Sequence, residues 1–450
     1  MRARKNILYL ANRVPYPPDK GDKIRSFHQM DHLARFHNVY CAAFADTPED
    51  LSRAATLRQW CAAVAVVPWG RAAAMTRATC ALPGRNPLSL AAYRNPNMSR
   101  CLSEWAGNVS FDAVIAFSST MAPYALGVPA GRHVLDLCDV DSQKWLDYAD
   151  RATWPMSMVW RTEGTRLRIY EQWCLRRFDA VLLITEQESR ILDPRQRCPT
   201  IGVIPNGVRL PPAAPPPASR LGPVVGFVGT MDYRPNIEAV RWFVRNVWPH
   251  VLESIPAARF TIVGRNPVRA VRRLASTRGV EVTGAVQSVP AHLRKMRVFA
   301  APLSIARGIQ NKVLEAMAFN RPVVATSSVA NTLQVENGRS ILVADDAVGF
   351  ARRIVDLCEF DKYCDQIGEA GFRAVAASYC WADVQRQFEI AVLGPQSESV
   401  RPPPKAPSTT NRVRSSRPIT VENRLGIVSP PGPDPARGTD TALLTATKGL

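Results

Sequence analysis

The stretch "TIGVIPNGVRLPPAAPPPASRLGPVVGFVGTM", residues 200–231, decides the fold. Its first apolar run, "IGVIP", ends at an Asn-Gly turn, and a proline-rich segment follows it. A second apolar run, "VVGFVGTM", then begins, and this run is typical of a buried strand. A strand, a linker and a new strand predict a boundary between two domains, with the linker at residues 211–222.

Short apolar runs alternate with helical patterns on both sides of this linker. Before it stand "NILYLA", "NVYCAAFA", "FDAVIAFSS", "HVLDLCDV" and "FDAVLLITE"; after it stand "ARFTIVGR", "VEVTGAV", "VFAAPLS" and "PVVAT". The segment "IRSFHQMDHLARFH" has the apolar spacing of an amphipathic helix, and so does "NIEAVRWFVRNVWPHVL". Residues 141–177 look mainly helical and carry four tryptophans. This alternation predicts two α/β domains with parallel sheets, the first over residues 1–210.

The composition changes after about residue 394. Residues 395–450 are rich in Pro, Ser, Thr and Arg, as in "RPPPKAPSTTNRVRSSRP", and contain few large apolar side chains. Such a segment cannot bury enough apolar surface to fold, so it predicts a disordered tail.

The chain is strongly basic, with 57 Lys and Arg against 38 Asp and Glu and a formal net charge of +19. Nucleic acid, an anionic membrane surface or a negatively charged substrate would each suit this charge, as would a merely solvated basic surface. The ten cysteines are scattered without a C-x-x-C pair, which predicts reduced thiols in a cytosol. No apolar run approaches the length of a membrane span, so we expect a soluble or peripheral protein.

Several classes of enzyme lack their sequence motifs here. No G-x-G-x-x-G follows a strand, and no G-x-x-x-x-G-K-[ST] occurs, which disfavours a dinucleotide oxidoreductase and a P-loop enzyme. The six histidines show no metal spacing, so no metal site is expected, and no Ser or Cys stands in a recognisable nucleophile motif.

A lysine and a glutamate stand together in "ARGIQNKVLEAMAFNRPVVAT", residues 306–326, where a strand leads into a helix. If the helix begins near Asn311, its free N–H groups and the charge of Lys312 suit a phosphate. Glu315 lies one i,i+3 step further on the same face, and a carboxylate accepts hydrogen bonds from a diol. The pair therefore predicts a site for a nucleoside diphosphate, although an ordinary ion pair on a helix surface has the same spacing.

Other predicted strand ends also carry glycines and cations. A glycine permits close backbone approach to a ligand, and a nearby cation suits its phosphate. The residues concerned are Gly229, Thr230, Arg234 and Asn236, then Gly264 and Arg265, and in the first half Gly21, between Lys20 and Lys23, with Arg25 beyond.

At these residues the sequence resembles the retaining GT-B glycosyltransferases of family 4, glycosyl transferases group 1. The features that carry the resemblance are "VIPNGV", "GFVGTM" and "NKVLEAMAFNRPVVAT", and it extends from about residue 6 to residue 393. A closer similarity is to the sugar transferases of PEP-CTERM/exosortase exopolysaccharide loci, through "RVPYPPDKGDKIRSFH", "DVDSQKW", "GTMDYRPNIEAV" and "ARGIQNKVLEAMA".

The resemblance implies two Rossmann-like domains that face each other across a cleft. Residues 223–375 would bind the donor, and a helix within residues 376–394 would cross back to the N-terminal domain, which would bind the acceptor. Glu315 would hold the ribose, and Lys312 and Arg234 would contact the diphosphate. The remaining donor-binding residues would be Gly21, Gly229, Thr230, Gly264, Arg265, Arg307, Gly308, Ile309, Gln310 and Asn311.

Two positions depart from the family pattern. Many members carry a further glutamate where this chain has Arg307, and an arginine cannot accept hydrogen bonds from sugar hydroxyls but can clamp a phosphate. Many members also have a histidine where this chain has Cys138 and Asp139. Asp139 or Asp141 could replace it, although either could instead cap the following helix. Lys23 and Arg25 join these two aspartates as candidate contacts for the acceptor or the transferred sugar.

The implied activity is transfer of a hexose from a UDP- or GDP-sugar, with retention and without metal or cofactor, to a glycan or polyprenyl-linked acceptor in bacterial exopolysaccharide biosynthesis. The protein would be cytoplasmic, with contact to the inner membrane surface as an option, and no nucleic-acid partner is expected. Two alternatives remain: a GT-B sugar-nucleotide epimerase and a non-catalytic scaffold that binds sugar nucleotides.

Overall fold

The computed structural model of the protein describes residues 3–18, 21–213, 215–304, 306 and 308–394. The predicted disordered tail, residues 395–450, lies outside these described residues. Two parallel sheets account for the strands, as the alternating pattern predicts.

The N-terminal domain is built on a seven-stranded sheet in the order β3-β2-β1-β4-β5-β6-β7. Every pair of neighbouring strands is parallel, and most of the strand residues are buried because helices cover both faces. The strands are β1 Asn6–Ala11, β2 Asn38–Ala45, β3 Ala63–Pro68, β4 Ala113–Phe117, β5 His133–Cys138, β6 Ala180–Leu183 and β7 Ile201–Val203.

Within the described residues, nine helices of the N-terminal half cover this sheet, and several begin with a recognisable cap. Thr47 caps the second helix and Thr185 the ninth, each accepting a hydrogen bond from a backbone N–H of the first turn. The helices are α1 Gly21–Phe36, α2 Pro48–Leu57, α3 Arg71–Cys80, α4 Leu88–Tyr93, α5 Pro96–Asn108, α6 Ala122–Leu126, α7 Asp141–Arg151, α8 Met156–Cys174 and α9 Glu186–Leu192.

The C-terminal domain has a six-stranded parallel sheet in the order β10-β9-β8-β11-β12-β13. The strands are β8 Val224–Val228, β9 Arg259–Val263, β10 Val280–Gly284, β11 Val298–Ala301, β12 Val323–Ala325 and β13 Leu342–Val343. The helices are α10 Arg234–Trp242, α11 Trp248–Ser254, α12 Arg269–Arg272, α13 Val289–Leu293, α14 Asn311–Ala318, α15 Ser327–Ala330, α16 Ala347–Glu359 and α17 Asp361–Ser378.

The last described helix, α18 (Trp381–Leu393), packs on the N-terminal domain. Its Val384, Phe388 and Val392 are buried in the core beneath β1, β2 and β4. His32 of α1 and His37, just after this helix, bind the Glu389 carboxylate, with His32 Nε2 2.8 Å and His37 Nε2 3.4 Å from its oxygens. The domains are therefore joined twice, once by the proline-rich segment and once by the entry into α18.

These two connections lie side by side. The backbone N–H of Val208 donates to the carbonyl of Tyr379 at 2.7 Å, and Val208 forms a bridge with Cys380. Gly207 lies against the Trp381 ring, so closely that a Cβ there would come within 2.3 Å of it. Both crossings thus form one compact hinge.

None of the helices within the described residues combines the length and the apolar character that crossing a membrane requires.

Candidate active site

Strand order fixes where a ligand can bind in each sheet. In the C-terminal sheet, β9 and β10 lie on one side of β8, whereas β11, β12 and β13 lie on its other side. The strand order therefore reverses between β8 and β11. A crevice opens at the carboxyl ends of two such strands, and ligands of open α/β sheets bind there. The helices that follow these strands are α10 and α14, which carry Asn236 and Lys312.

A short hydrogen-bond network crosses this crevice. Lys312 Nζ donates to Asn236 Oδ1 at 2.5 Å, and the Asn236 amide nitrogen donates to the carbonyl of Thr230 at 2.9 Å. Gly229 makes room for this amide, because a Cβ on Gly229 would lie 2.7 Å from Asn236 Nδ2. The sequence "GTMDYRPN" therefore orients an amide oxygen towards the lysine of the other helix.

Burial disfavours the charged forms of Lys312 and Glu315. Burial lowers the pKa of Lys312 to about 7, while the nearby Glu315 carboxylate acts in the opposite direction. Burial likewise raises the pKa of Glu315 to about 7, opposed by Lys312. The Lys312 ammonium also lies 4.8 Å from the centre of the Phe227 ring. A buried cation of this kind gains most from an anionic ligand that enters its crevice.

The loop before α14 reaches the N-terminal domain. Gly308 has a φ of +59°, and a Cβ on it would lie 2.6 Å from Asp139 Oδ1 and 2.8 Å from Ile184 Cδ1. Asn206, in the hinge, donates to Asn311 Oδ1 at 3.3 Å. The loop is thus in contact with the ends of β5 and β6, and the crevices of the two sheets face one cleft.

Carboxyl groups line the N-terminal wall of this cleft. Glu188 accepts a hydrogen bond from the N–H of Val140 at 2.6 Å, and burial raises its pKa to about 7, with Asp139 and Asp141 acting in the same direction. Burial also raises the pKa of Asp141, against the effect of Lys144. Glu188 was not anticipated, although the Thr185-x-x-Glu188 spacing of a capping box marks it.

Lys23 and Arg25, two of the residues expected to contact the acceptor, are buried inside the N-terminal domain. Arg25 is 1% exposed and binds Asp136 Oδ2 at 2.9 Å and the carbonyl of Ile204 at 2.9 Å. Lys23 is 6% exposed and pairs with Asp50 at 3.0 Å. Both cations are used inside the N-terminal domain, where burial requires a partner for each charge, so their expected contact with the acceptor is not supported.

The other expected donor residues are distributed around the cleft or next to it. Gly264 packs against Gly229, since a Cβ would come within 1.6 Å of the Gly229 carbonyl oxygen, so its small size serves packing between strand ends. Arg234 is largely exposed and forms an i,i+4 ion pair with Glu238 at 2.7 Å. Gly21 opens α1 with no atom within 4 Å of a Cβ placed on it.

Three more of the expected donor-binding residues are described only by their burial, by a backbone hydrogen bond or by their position before a helix. Arg265 is half-buried, and its carbonyl accepts from the N–H of Met231 at 2.9 Å. Ile309 is buried, and Gln310 precedes α14 as its cap residue. Lys20 and Arg307 lie outside the described residues.

Tyr233 is a cleft residue that the sequence patterns missed. It is 57% exposed at the start of α10, and burial of its hydroxyl raises its pKa, with the charges of Tyr148, Lys144 and Asp139 nearby. Those neighbours belong to α7 and to the turn between β5 and α7, so Tyr233 faces the N-terminal domain. Among the described residues, no group of three or more His, Cys, Asp or Glu side chains is placed to hold a metal ion.

Two facing domains, each with a parallel sheet and covering helices, define the GT-B fold. Solved structures agree. A sucrose-phosphate synthase from Thermosynechococcus elongatus superposes with a TM-score of 0.62 and 15% identity, over 86% of this chain and 98% of that one. Anabaena HepE in complex with UDP has a TM-score of 0.60 and 14% identity, over 85% and 98% of the two chains. At such identities the likeness shows the fold alone.

Sequence comparison finds a match in the C-terminal domain. Residues 222–359, from just before β8 to the end of α16, match the family model described as Glycosyl transferases group 1. A curated relative, the "Uncharacterized 44.6 kDa protein in cps region" of Klebsiella pneumoniae, is 24% identical over 156 residues, which are 33% of this chain. The match spans 39% of the length of that relative.

Proposed function

We propose that the protein is a glycosyltransferase that moves a sugar from a nucleotide-diphosphate donor to a glycan acceptor. The observation that carries the proposal is the bond between Lys312 Nζ and Asn236 Oδ1, at the crevice where a ligand of this sheet would bind. The match of residues 222–359 to the group 1 family model supports it. HepE of Anabaena, which shares the fold, forms complexes with UDP and with UDP-glucose.

The residue roles follow from the chemistry of the donor. The diphosphate would replace Asn236 as the partner of Lys312 and would accept hydrogen bonds from the N–H groups at the start of α14. Glu315, on the next turn, would accept hydrogen bonds from the ribose hydroxyls. Arg234 can turn from Glu238 towards the diphosphate, because an exposed ion pair contributes little free energy.

The leaving diphosphate develops negative charge, which preoriented cations and backbone N–H groups stabilise. We propose retention by front-face transfer, in which the departing phosphate helps to remove the proton of the acceptor hydroxyl, so that neither a metal nor a separate protein base is required. Asp139 and Asp141, on the opposite wall, are the candidates for contact with the acceptor or the transferred sugar.

The acceptor is proposed to be a lipid-linked oligosaccharide of bacterial exopolysaccharide synthesis, at the cytoplasmic face of the membrane. The description of the Klebsiella relative, which places it in a cps region, supports this assignment. The similarity to the PEP-CTERM/exosortase-associated transferases stays a prediction.

A sugar-nucleotide epimerase is less well supported. Such an enzyme needs acid and base groups that include a histidine in the cleft, and the six histidines have partners elsewhere. His28 stacks on Trp381, His32 and His37 bind Glu389, His133 binds the Val128 carbonyl, His250 lies near Glu253, and His292 contacts the Ser288 carbonyl.

Replacement of Lys312 tests the proposal. Lys312→Ala should lower turnover of the donor by about 10²-fold or more, because a charge that stabilises the leaving group is lost. The melting temperature should stay equal or rise: a lysine whose pKa is lowered by burial disfavours folding at neutral pH. Lys295→Ala, an exposed lysine of the same domain, is the control and should change neither.

The donor is identified by screening UDP- and GDP-sugars for a rise in melting temperature. Nucleotide release is then measured with and without an acceptor extract. Release coupled to a new glycosidic product is the expected result, release without product would favour the epimerase, and binding without release would favour the scaffold. A fall in stability of Lys312→Ala that matches its fall in turnover would contradict the proposed role.

A further inference from the structure

The outward face of α8 has an unusual composition. The exposed side chains Met158, Arg161, Thr165, Ile169 and Trp173 recur every three or four residues, so they form one stripe along the helix. The outward face of a surface helix is normally polar, yet Met158 is 62% and Ile169 65% exposed. The stripe includes no carboxylate and extends for roughly 22 Å at the α-helical rise per residue.

Further exposed apolar side chains surround this stripe. Of the eleven large apolar side chains that are exposed among the described residues, five lie within residues 148–173, including Trp154, which is 78% exposed in the turn before α8. The Arg177 guanidinium lies over the Trp173 ring, 5.1 Å from the centre of that ring. Isolated exposed apolar residues are common, but such a concentration marks a binding surface.

The neighbouring helix α3 is basic and almost wholly exposed. Ala74 is its one buried residue, while Met75 and, just beyond the helix, Leu82 are exposed. The chain from residue 51 to residue 103 contains no Asp or Glu. The seven arginines of this segment are Arg53, Arg58, Arg71, Arg77, Arg85, Arg94 and Arg100.

Buried contacts fix α3 and its following loop to α8. The Glu163 carboxylate accepts hydrogen bonds from the N–H of Leu88 and from the N–H and hydroxyl of Ser89. Arg166 donates to the carbonyls of Ala81 and Leu82 at 3.1 and 2.7 Å. These contacts hold the end of α3 and the loop after it against α8. We call the exposed side chains of α3, of this loop, of α8 and of the turn before it the α3–α8 face, with Met75, Leu82, Trp154, Met158, Ile169 and Trp173 as its apolar members.

We propose that the α3–α8 face docks onto an anionic lipid bilayer. Arginines attract acidic headgroups, and exposed Trp, Met and Ile side chains enter the boundary between headgroups and acyl chains. On this face, Arg71 and Arg85 are exposed, in a part of the chain without carboxylates, and they complement a negatively charged plane. The face belongs to the N-terminal domain, whose α7 borders the cleft, so docking would hold the cleft close to the membrane surface.

Vesicle sedimentation of the full chain tests this proposal without any donor, so it can fail while the transferase proposal stands. We expect binding to vesicles of phosphatidylcholine mixed with phosphatidylglycerol, weak binding to phosphatidylcholine alone, and release at high salt. Ile169→Glu should weaken partition about tenfold, because it places a charge in the apolar boundary. Arg176→Gln, at the end of α8, should weaken it about fivefold.

Val348→Glu is the matched control, because Val348 is 64% exposed in the C-terminal domain, and its partition should equal that of the unmodified chain. Circular dichroism and melting temperature establish that each variant is folded. Equal binding of Ile169→Glu and the unmodified chain would overturn the proposal, because other basic segments would then account for attraction to lipid. A stable dimer that Ile169→Glu dissociates would also overturn it, in favour of an interface between copies.

Discussion

The surroundings of the Lys312 ammonium are more favourable when an anionic ligand is bound than in the ligand-free protein. Among the described residues, its ammonium donates to the neutral amide oxygen of Asn236 and lies over the face of Phe227. Burial therefore costs more than these contacts return, and the pKa of Lys312 is lowered to about 7. A diphosphate would supply the missing negative charge, so ligand binding and protonation of Lys312 should be linked.

We expect the affinity for UDP to fall as the pH rises above about 7. Below this pH the free protein carries a protonated Lys312, whereas above it the lysine is neutral and must take up a proton to pair with the diphosphate. The dissociation constant should rise by up to about tenfold per pH unit until the pKa of the complex is reached. Titration calorimetry in two buffers of different ionisation enthalpy measures this proton uptake directly.

Lys312→Arg is the control for this linkage, because an arginine keeps its charge throughout the range. Its affinity should be nearly flat between pH 7 and pH 9, even if it is weaker overall. Proton uptake that persists in Lys312→Arg would assign the linkage to another group, such as Glu315, whose pKa is also raised to about 7.

The sequence predicts only part of this site. The i,i+3 spacing of Lys312 and Glu315 is local, so a helix pattern suffices to place both on one face. The bond between Lys312 and Asn236 joins residues 76 positions apart and depends on strand order, which no local pattern contains. The burial of Arg25 was unforeseen for the same reason, since its partner Asp136 lies 111 positions away.

At the scale of elements, the loop between β11 and α14 makes the contact across the cleft. Gly308 is its decisive residue, since the left-handed φ of +59° strains any other residue and the contact with Asp139 leaves no room for a Cβ. The loop places the start of α14 next to the ends of β5 and β6. Its geometry should therefore affect nucleotide binding more than it affects global stability.

Gly308→Ala should weaken nucleotide binding strongly, because the new Cβ would lie 2.6 Å from Asp139 Oδ1 and the loop must move. Gly338→Ala is a matched control: its φ is +80°, but no atom lies within 4 Å of a Cβ there. Each variant bears a backbone cost of roughly 1–2 kcal/mol, visible in denaturant unfolding. Only Gly308→Ala should raise the dissociation constant for the donor, and equal affinities would show that the contact is dispensable.

Elements with strong patterns were predicted well, and irregular ones were not. The buried strands of both sheets agree with their apolar runs, because parallel strands covered on both faces need continuous apolar sequence. The predicted helix "NIEAVRWFVRNVWPHVL" is interrupted by a π-helical turn at Phe243–Val247, just before Pro249, whose missing N–H breaks the regular hydrogen bonding. The segment with β3 and helices α2 to α5 was not anticipated, although α2 and α5 each begin with a Pro behind a capping side chain, Thr47 and Asn95.

At the scale of the molecule, the hinge joins two domains that must each keep their own core. The Val208–Tyr379 hydrogen bond and the contact of Gly207 with Trp381 hold the two crossings together. Trp381 also stacks on His28 of α1, with 4.2 Å between ring centres. Any motion between the domains is therefore expected to turn about this point, with α18 remaining on the N-terminal domain.

Gly207→Val should disrupt the hinge, because a Cβ at this position would lie 2.3 Å from the Trp381 ring, which also contacts the His28 ring. We expect a loss of about 1–3 kcal/mol in denaturant unfolding, the usual range for overpacking, together with reduced turnover. Gly222→Val is the matched control in the same connecting segment, since no atom lies within 4 Å of its Cβ, and it should change stability by no more than about 0.5 kcal/mol. If the two valine variants unfold alike, the contact of Gly207 with Trp381 does not hold the hinge, and α18 must be retained by its other contacts, which include the burial of Phe388 and the ion pairs of Glu389.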